Sequence, residues 1–146
     1  MLSKAELLNV LQPYGGLDTK VLKNRKAFFM SPSLRKALLW TLYGDNLPKQ
    51  MQSMLLEDLV VLYLKMVLNG SVISYTSGSA GRHPDIVIET RDKPVLLEIG
   101  THKTSIKQLV SSKIPYRYGI LLTDGVSAPM VKDNVLLLPM RWWKGM

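Results

Sequence analysis

The sequence predicts an α/β fold in which helices pack against a mixed central sheet. Three patterns predict it: two helical segments in the first half of the chain, a hairpin after them, and a strand–helix–strand order after the hairpin. A hairpin pairs its strands antiparallel, whereas a strand–helix–strand unit pairs them parallel, so the expected sheet is mixed. The chain has 146 residues and is 47% hydrophobic, which is enough to bury a core.

The N-terminal part of the chain leaves one choice open. Residues 5–12 fit either a strand or a short helix, and the turn residues at 13–16 end that element. We expect residues 1–19 to be a linker or the remnant of a preceding domain, and residues 20–146 to form the domain itself. The short β-prone run at 27–30 predicts a strand.

Two helices are predicted next. Ser31 is a suitable N-cap and Pro32 suits the first helical position, while Gly44 ends the segment. A longer helix is predicted at residues 50–68, and we expect it to be central and buried because apolar residues cover most of its circumference. Its strongest apolar stripe consists of Met51, Met54, Leu55, Leu59, Leu62, Tyr63 and Met66.

The second half of the chain is predicted to be rich in strands. Two of these strands form a hairpin around the turn residues 91–93. The predicted strands are 71–76, 85–90, 94–99, 116–123 and 134–138, with a loop at 77–81 and a short helix at 104–112 that Thr104 caps. Glycine, proline and polar residues separate these segments, as is typical of turns.

Composition excludes several classes of function. The chain has no cysteine, which excludes a disulfide framework, a zinc–thiolate site and a thiol nucleophile. It has no Gly-x-x-x-x-Gly-Lys-[Ser/Thr] motif, so it does not bind a nucleoside triphosphate by that device. No apolar stretch reaches the roughly 18 residues of a membrane span, and the N-terminus lacks the pattern of a signal peptide. We therefore expect a cytoplasmic protein without a membrane partner.

Charge is unevenly distributed along the chain. The formal net charge is +8, with +5 in residues 1–50, −2 in residues 51–100 and +5 in residues 101–146. Basic segments around an acidic centre would suit a nucleic acid held by its phosphates beside a carboxylate metal site. A basic surface that only keeps the protein in solution is the alternative.

Two carboxylates are expected to converge at one end of the predicted hairpin. Side chains alternate along a strand, so Glu98 and Gly100 share one face of their strand. Asp85 opens the preceding strand, and the short turn makes the two strands antiparallel neighbours, which brings Asp85 and Glu98 to the same end. Paired carboxylates suit Mg²⁺, which prefers hard oxygen ligands. Solvated strand ends are the alternative interpretation.

The spacing of these acids matches a known signature. Pro84–Asp85 is followed, after twelve residues, by Glu98–Gly100. This pattern resembles the signature of the PD-(D/E)XK nuclease superfamily, in which an Asp on one strand and a Glu-x-Lys on the next bind magnesium. Three blocks, at residues 29–39, 55–60 and 81–88, are similar to the C-terminal nuclease-like domain, a domain of unknown function, of archaeal and bacterial AAA+ ATPases.

The resemblance implies a restriction-endonuclease-like core, in which helices flank a mixed central sheet. It also implies roles for single residues. Asp85 and Glu98 correspond to the Mg²⁺ ligands, and Ile99 would add its carbonyl oxygen. Glu57 corresponds to the helix glutamate that often completes the site, and Gln108 corresponds to a polar position on the helix after the motif.

The chain departs from the signature at one position. Gly100 stands where the nuclease lysine belongs, and it has no side chain to orient water or to stabilise the transition state. Lys103 lies three residues further on, and its flexible stem is long enough to reach back, as migrated lysines do in some members of the superfamily. An exposed lysine ahead of a helix is the alternative.

The two acids of the long helix also allow two interpretations. Glu57 has Met54, Val60 and Val61 as helical neighbours, which favours a partly buried Glu57 that points at the site and leaves Asp58 exposed. Alternatively, Glu57 lies where the helix meets solvent and pairs with a nearby base.

Two functional hypotheses fit these patterns. The missing motif lysine favours a nucleic-acid-binding or adaptor module with a degenerate metal site, which would serve an ATPase domain in cis or in trans. The alternative is an active Mg²⁺-dependent phosphodiesterase that cuts DNA or RNA with Asp85, Glu98 and a migrated Lys103. A purely structural oligomerisation domain would need neither the acids nor the positive charge, which disfavours it.

Overall fold

A computed structural model of the protein describes residues 7–76 and 83–141. These residues form eight strands and four helices. In chain order the elements are β1 (Leu8–Pro13), α1 (Leu17–Leu22), β2 (Lys26–Phe29), α2 (Pro32–Tyr43), α3 (Lys49–Val67), β3 (Ile73–Tyr75), β4 (Ile86–Ile88), β5 (Val95–Gly100), α4 (Lys107–Val110), β6 (Tyr118–Thr123), β7 (Met130–Lys132) and β8 (Val135–Pro139). Among the described residues, no helix combines the length and apolar character that a membrane crossing requires.

The chain divides into two compact units. Within the described residues, the first unit contains residues 7–11 and 25–70, and the second contains residues 12–24 together with the chain from residue 71 onward. Strand β1 belongs to the first unit up to Leu11 and to the second unit from Gln12. Residues 1–19, predicted as a linker or remnant, therefore contain strand β1. By sequence, residues 5–12 fit either a strand or a short helix, and the structure shows a strand at Leu8–Pro13.

The sheet of the first unit pairs β1 with β2. The two strands are antiparallel, with Leu8 opposite Phe29 and Leu11 opposite Lys26. Leu11 and Phe28 are buried, as expected for strand residues on the core face. Strand β2 confirms the prediction of a strand near residues 27–30.

Helix α2 begins and ends where the sequence predicts. The Ser31 Oγ accepts a hydrogen bond from the backbone N–H of Ser33 at 3.2 Å, and Pro32 occupies the first helical position. Gly44 follows the helix with a φ of 62°, in the left-handed region that glycine tolerates best. The capping residues thus set both ends of this helix.

Helix α3 also lies within one residue of its predicted bounds, but it is buried on one side only. Met54, Met66 and Val67 are exposed, so the expectation that the helix is buried around most of its circumference is wrong. The residues of α3 that the structure buries are Asp58, Val60, Val61 and Leu64. Apolar residues surround the whole helix, so periodicity alone could not select the buried face.

Asp58 is the buried acid of α3, and the expectation that it is exposed is wrong. Its carboxylate accepts hydrogen bonds from Nε and Nη2 of Arg35 on α2 and, at 2.9 Å, from the backbone N–H of Phe29 on β2. The hydrogen bonds that Arg35 donates to Asp58 raise the pKa of the guanidinium, while burial opposes that rise. This cluster joins two helices and a strand of the first unit.

The second unit contains a mixed sheet. Its strands follow the order β1-β3-β4-β5-β6-β8-β7. The β1–β3, β5–β6 and β6–β8 pairs are parallel, and the β3–β4, β4–β5 and β7–β8 pairs are antiparallel. The predicted α/β class with a mixed sheet and helices is confirmed, whereas restriction-endonuclease-like topology stays a prediction.

One core cluster of this unit lies where α4 meets the sheet. Its buried residues are Val87, Leu96, Ile106, Leu109, Leu121, Val135 and Leu137. Helix α4 is shorter than predicted, and its N-cap is Ile106 rather than Thr104. Burial of Ile106 and Leu109 anchors this turn of helix, so no side-chain cap is needed. The loop predicted at 77–81 lies outside the described residues.

Candidate active site at the end of strand β5

Asp85 and Glu98 lie together at one end of the β4–β5 hairpin. Strand β4 pairs Ile86 with Leu97, so the same antiparallel register places Asp85 opposite Glu98. One carboxylate oxygen of Asp85, Oδ2, accepts a hydrogen bond from the backbone N–H of Ile99 at 2.8 Å. Residues opposite each other in an antiparallel pair project to the same face of the sheet. The structure therefore brings the two predicted acids to one place.

Glu98 is buried, with a side chain that is 5% exposed. It lies on the same face of β5 as Leu96, which is part of the core. A carboxylate in such surroundings needs a compensating charge or hydrogen bonds. Lys103 provides both a charge and a hydrogen bond, because its Nζ donates a hydrogen bond to Oε1 of Glu98.

The stem of Lys103 lies over Gly100. A Cβ atom built on Gly100 would lie 2.6 Å from Cδ of Lys103 and 2.8 Å from its Cβ, closer than real side chains approach. Glycine at position 100 therefore leaves the space that Lys103 uses, as glycine in a strand often does where another part of the chain comes close. Lys103 is 27% exposed at its side chain, so it is not the fully exposed lysine of the alternative interpretation.

Gln108 completes this group. Its Oε1 accepts a hydrogen bond from Nζ of Lys103, and it lies on α4 beside the buried Leu109. A single ammonium thus connects the strand glutamate with the polar residue of the following helix. The structure joins Glu98, Lys103 and Gln108, three of the residues that the sequence singled out.

Glu57 and Ile99 are placed differently. Glu57 belongs to the first unit, where its Oε2 accepts a hydrogen bond from Nζ of Lys26 at 2.8 Å. Its side chain is 23% exposed, which agrees with partial burial and with a basic partner. The backbone N–H of Ile99 is bound by Asp85. A role for Glu57 in the site, and for the Ile99 carbonyl as a ligand, stays a prediction.

The end of β5 presents two carboxylates, those of Asp85 and Glu98, as candidate ligands for Mg²⁺. Among the described residues, no group of three or more His, Cys, Asp or Glu side chains could hold a metal ion. Mg²⁺ usually binds through one or two carboxylates and takes its other ligands from water and substrate phosphates. Asp85, directly before β4, and Glu98, on β5, are such a pair of oxygen donors, so they are the residues that would hold the metal.

Sequence reasoning missed one buried polar residue next to this group. Thr123, at the end of β6, is fully buried, and its Oγ1 donates a hydrogen bond to the carbonyl oxygen of Lys103. The available signal was a threonine that ends an apolar strand and is followed by Asp124 and Gly125. That signal also fits an ordinary turn, so it does not by itself indicate a site.

Comparison with known proteins found one relative of note. No protein-family model matches the chain, and no solved structure matches it. A protein of Methanocaldococcus jannaschii named "Uncharacterized protein MJ1637" is 32% identical over 149 residues. The matched region includes 99% of this chain but 30% of the relative, so the chain spans less than a third of that relative's length.

Proposed function

We propose that the second unit is a Mg²⁺-dependent phosphodiesterase centre that acts on nucleic acid. The observation that carries this proposal is the position of Lys103, whose ammonium contacts Glu98 while its stem lies over Gly100. The PD-(D/E)XK signature requires a lysine beside its glutamate. In this chain the loop after β5 would provide that lysine in place of the strand.

Each residue of the group has a separate task in this proposal. Asp85 and Glu98 would hold Mg²⁺, which when bound supplies Lewis-acid stabilisation of the charge that develops on the phosphate. The Lys103 ammonium has three N–H donors, and Glu98 and Gln108 accept two of them. The third donor would bind a non-bridging phosphate oxygen or orient the attacking water.

Burial strengthens what Lys103 would contribute. Glu98 is almost fully buried and Lys103 is 27% exposed, so their contact is partly shielded from water, which makes the electrostatic interaction stronger than in bulk water. The negative charge of a phosphodiester becomes more concentrated on its oxygens as the nucleophile attacks. A cation that is already oriented therefore stabilises the transition state more than the ground state.

Basic residues support nucleic acid as the substrate class. Lys107 on α4, and Lys113 and Arg117 in the segment after it, are exposed, and the whole chain carries a formal net charge of +8. Such cations bind the phosphates of a nucleic acid whatever its base sequence, and their affinity falls as the salt concentration rises. They lie in the segment that also carries Gln108.

A nucleic-acid-binding adaptor is the second candidate, and one observation favours it. The Lys103 ammonium already compensates the charge of Glu98, so the buried carboxylate is stabilised without a metal. In this candidate the unit binds nucleic acid and serves an ATPase domain, in cis or in trans, as the resemblance to AAA+-associated domains implies.

Cleavage assays with plasmid DNA, single-stranded DNA and RNA distinguish the two candidates. The enzyme proposal expects cleavage that requires Mg²⁺, stops with EDTA, and falls by about 10² to 10³ in Lys103→Ala and Glu98→Gln. Lys93→Ala is the matched control, because Lys93 is an exposed lysine in the β4–β5 turn. Salt-sensitive binding without cleavage, in Mg²⁺ or Mn²⁺, would contradict the enzyme and favour the adaptor.

A further inference from the structure

Thr123 holds the backbone of Lys103. It is the register partner of Gly100 in the parallel β5–β6 pair and is fully buried. Its Oγ1 donates a hydrogen bond to the Lys103 carbonyl oxygen at 2.5 Å and accepts one from the backbone N–H of Gly125 at 3.0 Å. One buried hydroxyl therefore satisfies two backbone groups, and its removal would leave both without this partner.

Asp124 holds the residue before Lys103. Its Oδ1 accepts a hydrogen bond from the backbone N–H of His102. His102 has a φ of 55°, in the left-handed region, which is unfavourable for a residue with a side chain and persists where surrounding contacts enforce it. Because His102 lies between Gly100 and Lys103, this conformation contributes to turning Lys103 back over β5.

Gly125 leaves room for the residue after Lys103. A Cβ atom at position 125 would lie 2.8 Å from Cγ2 of Thr104 and 3.2 Å from the carbonyl oxygen of Lys103. Any larger residue would therefore push the loop away from the end of β6. Three consecutive residues, Thr123–Gly125, thus contact three consecutive residues, 102–104.

We propose that Thr123, Asp124 and Gly125 are positioning residues that fold the loop back so that the Lys103 ammonium reaches Glu98. This inference rests on the proposed function of Lys103, but it concerns residues that do not themselves contact the reacting atoms. A lysine within a strand has its backbone held by the sheet, whereas a lysine on a loop needs other contacts to stay ordered. A loop that is ordered before the substrate binds keeps the Lys103 ammonium beside Glu98, where it would act.

Thr123→Val tests the inference, because valine keeps the shape of threonine and removes its hydroxyl. Two quantities are measured: acetylation of the Lys103 amine by acetic anhydride relative to Lys93, and kcat and KM for nucleic-acid cleavage. We expect Lys103 acetylation to rise about two- to tenfold, and kcat to fall on the order of 10²-fold with little change in KM. Thr123→Ser should restore both quantities. Thr41→Val, which removes a comparable side-chain-to-backbone hydrogen bond on the exposed face of α2, is the matched control.

A second variant covers the case in which Thr123→Val does not fold, as judged by circular dichroism. Asp124 has a side chain that is 32% exposed, and Asp124→Ala should raise Lys103 acetylation in the same direction. Unchanged acetylation in the folded variants would overturn the inference, even if the unmodified chain cleaves nucleic acid. Raised acetylation in a protein that never cleaves would support the positioning role and contradict the phosphodiesterase proposal.

Discussion

Replacing Gly100 by alanine tests whether Lys103 occupies the space beside position 100. The added Cβ would lie 2.6 Å from Cδ of Lys103 and 2.8 Å from its Cβ. The Cδ atom can move by a change of rotamer, but the Cβ atom is attached to the loop backbone. The variant must therefore shift the loop and pull the ammonium away from Glu98.

The expected cost combines two effects. Inserting a methyl group into an occupied space costs about 1–3 kcal/mol. Removing the partner of a fully buried charge costs about 3–5 kcal/mol, but the Lys103 side chain is 27% exposed and water can replace part of the contact, so we take about 1 kcal/mol for this effect. We therefore expect Gly100→Ala to lower the free energy of unfolding by roughly 2–4 kcal/mol.

Urea denaturation followed by circular dichroism measures this change, and a double-mutant cycle isolates its cause. Lys103→Gly removes both the stem and the Cβ that the new methyl group would meet. In that background Gly100→Ala should cost less than about 0.5 kcal/mol, so the coupling between the two positions should exceed roughly 1.5 kcal/mol. If the costs of Gly100→Ala and Lys103→Gly add in the double variant to within about 0.5 kcal/mol, the two positions are independent and Lys103 does not occupy the space beside position 100.

Two further predictions concern the first unit and the basic residues. Asp58→Ala should lower the free energy of unfolding by about 3–5 kcal/mol, because Arg35 loses its buried partner, whereas Glu57→Ala should cost less than about 1 kcal/mol. Equal costs in urea denaturation would contradict the role given to Asp58. The logarithm of the affinity for nucleic acid falls linearly with the logarithm of the salt concentration. Replacing Lys107, Lys113 and Arg117 by glutamine should make this negative slope less steep by about 2 to 3. An unchanged slope between about 50 and 200 mM salt would exclude these cations from the interface.

Local signals predicted the elements whose ends depend on neighbouring residues. Helix α2 has its N-cap at Ser31 and its end at Gly44, and both act within one turn of the helix. The β4–β5 hairpin is defined by a short turn between two apolar runs. For the same reason the sequence could bring Asp85 and Glu98 to one end, since their separation depends only on that turn.

Elements without a core-facing pattern could not be predicted in this way. Helix α1 has no buried residue and no side-chain cap, and all three residues of β7 are exposed. Neither segment therefore carries the periodicity that burial imposes. The buried face of α3 could not be predicted because apolar residues occur on most sides of the helix, so no single face stands out. The Arg35–Asp58 contact on its buried face joins residues that are far apart in the chain, and local patterns do not reveal it.

The position of Lys103 depends on contacts that lie about twenty residues away in sequence. Thr123 and Asp124 hold the backbone around it, and nothing in residues 98–103 alone indicates that the side chain turns back. A lysine five residues after a strand glutamate is equally suited to a solvated loop. The choice between these two interpretations therefore required the tertiary structure.

Positions 100 and 103 are coupled by geometry, and this changes how the missing lysine should be interpreted. The Lys103 stem occupies the volume that a side chain at position 100 would enter, so both positions cannot carry a large side chain in this backbone. If Lys103 serves the site, a small residue at position 100 is required. In that case Gly100 makes room for the displaced lysine, and its presence is not a sign of lost function. Position 100 considered alone would instead suggest that the site has lost its lysine.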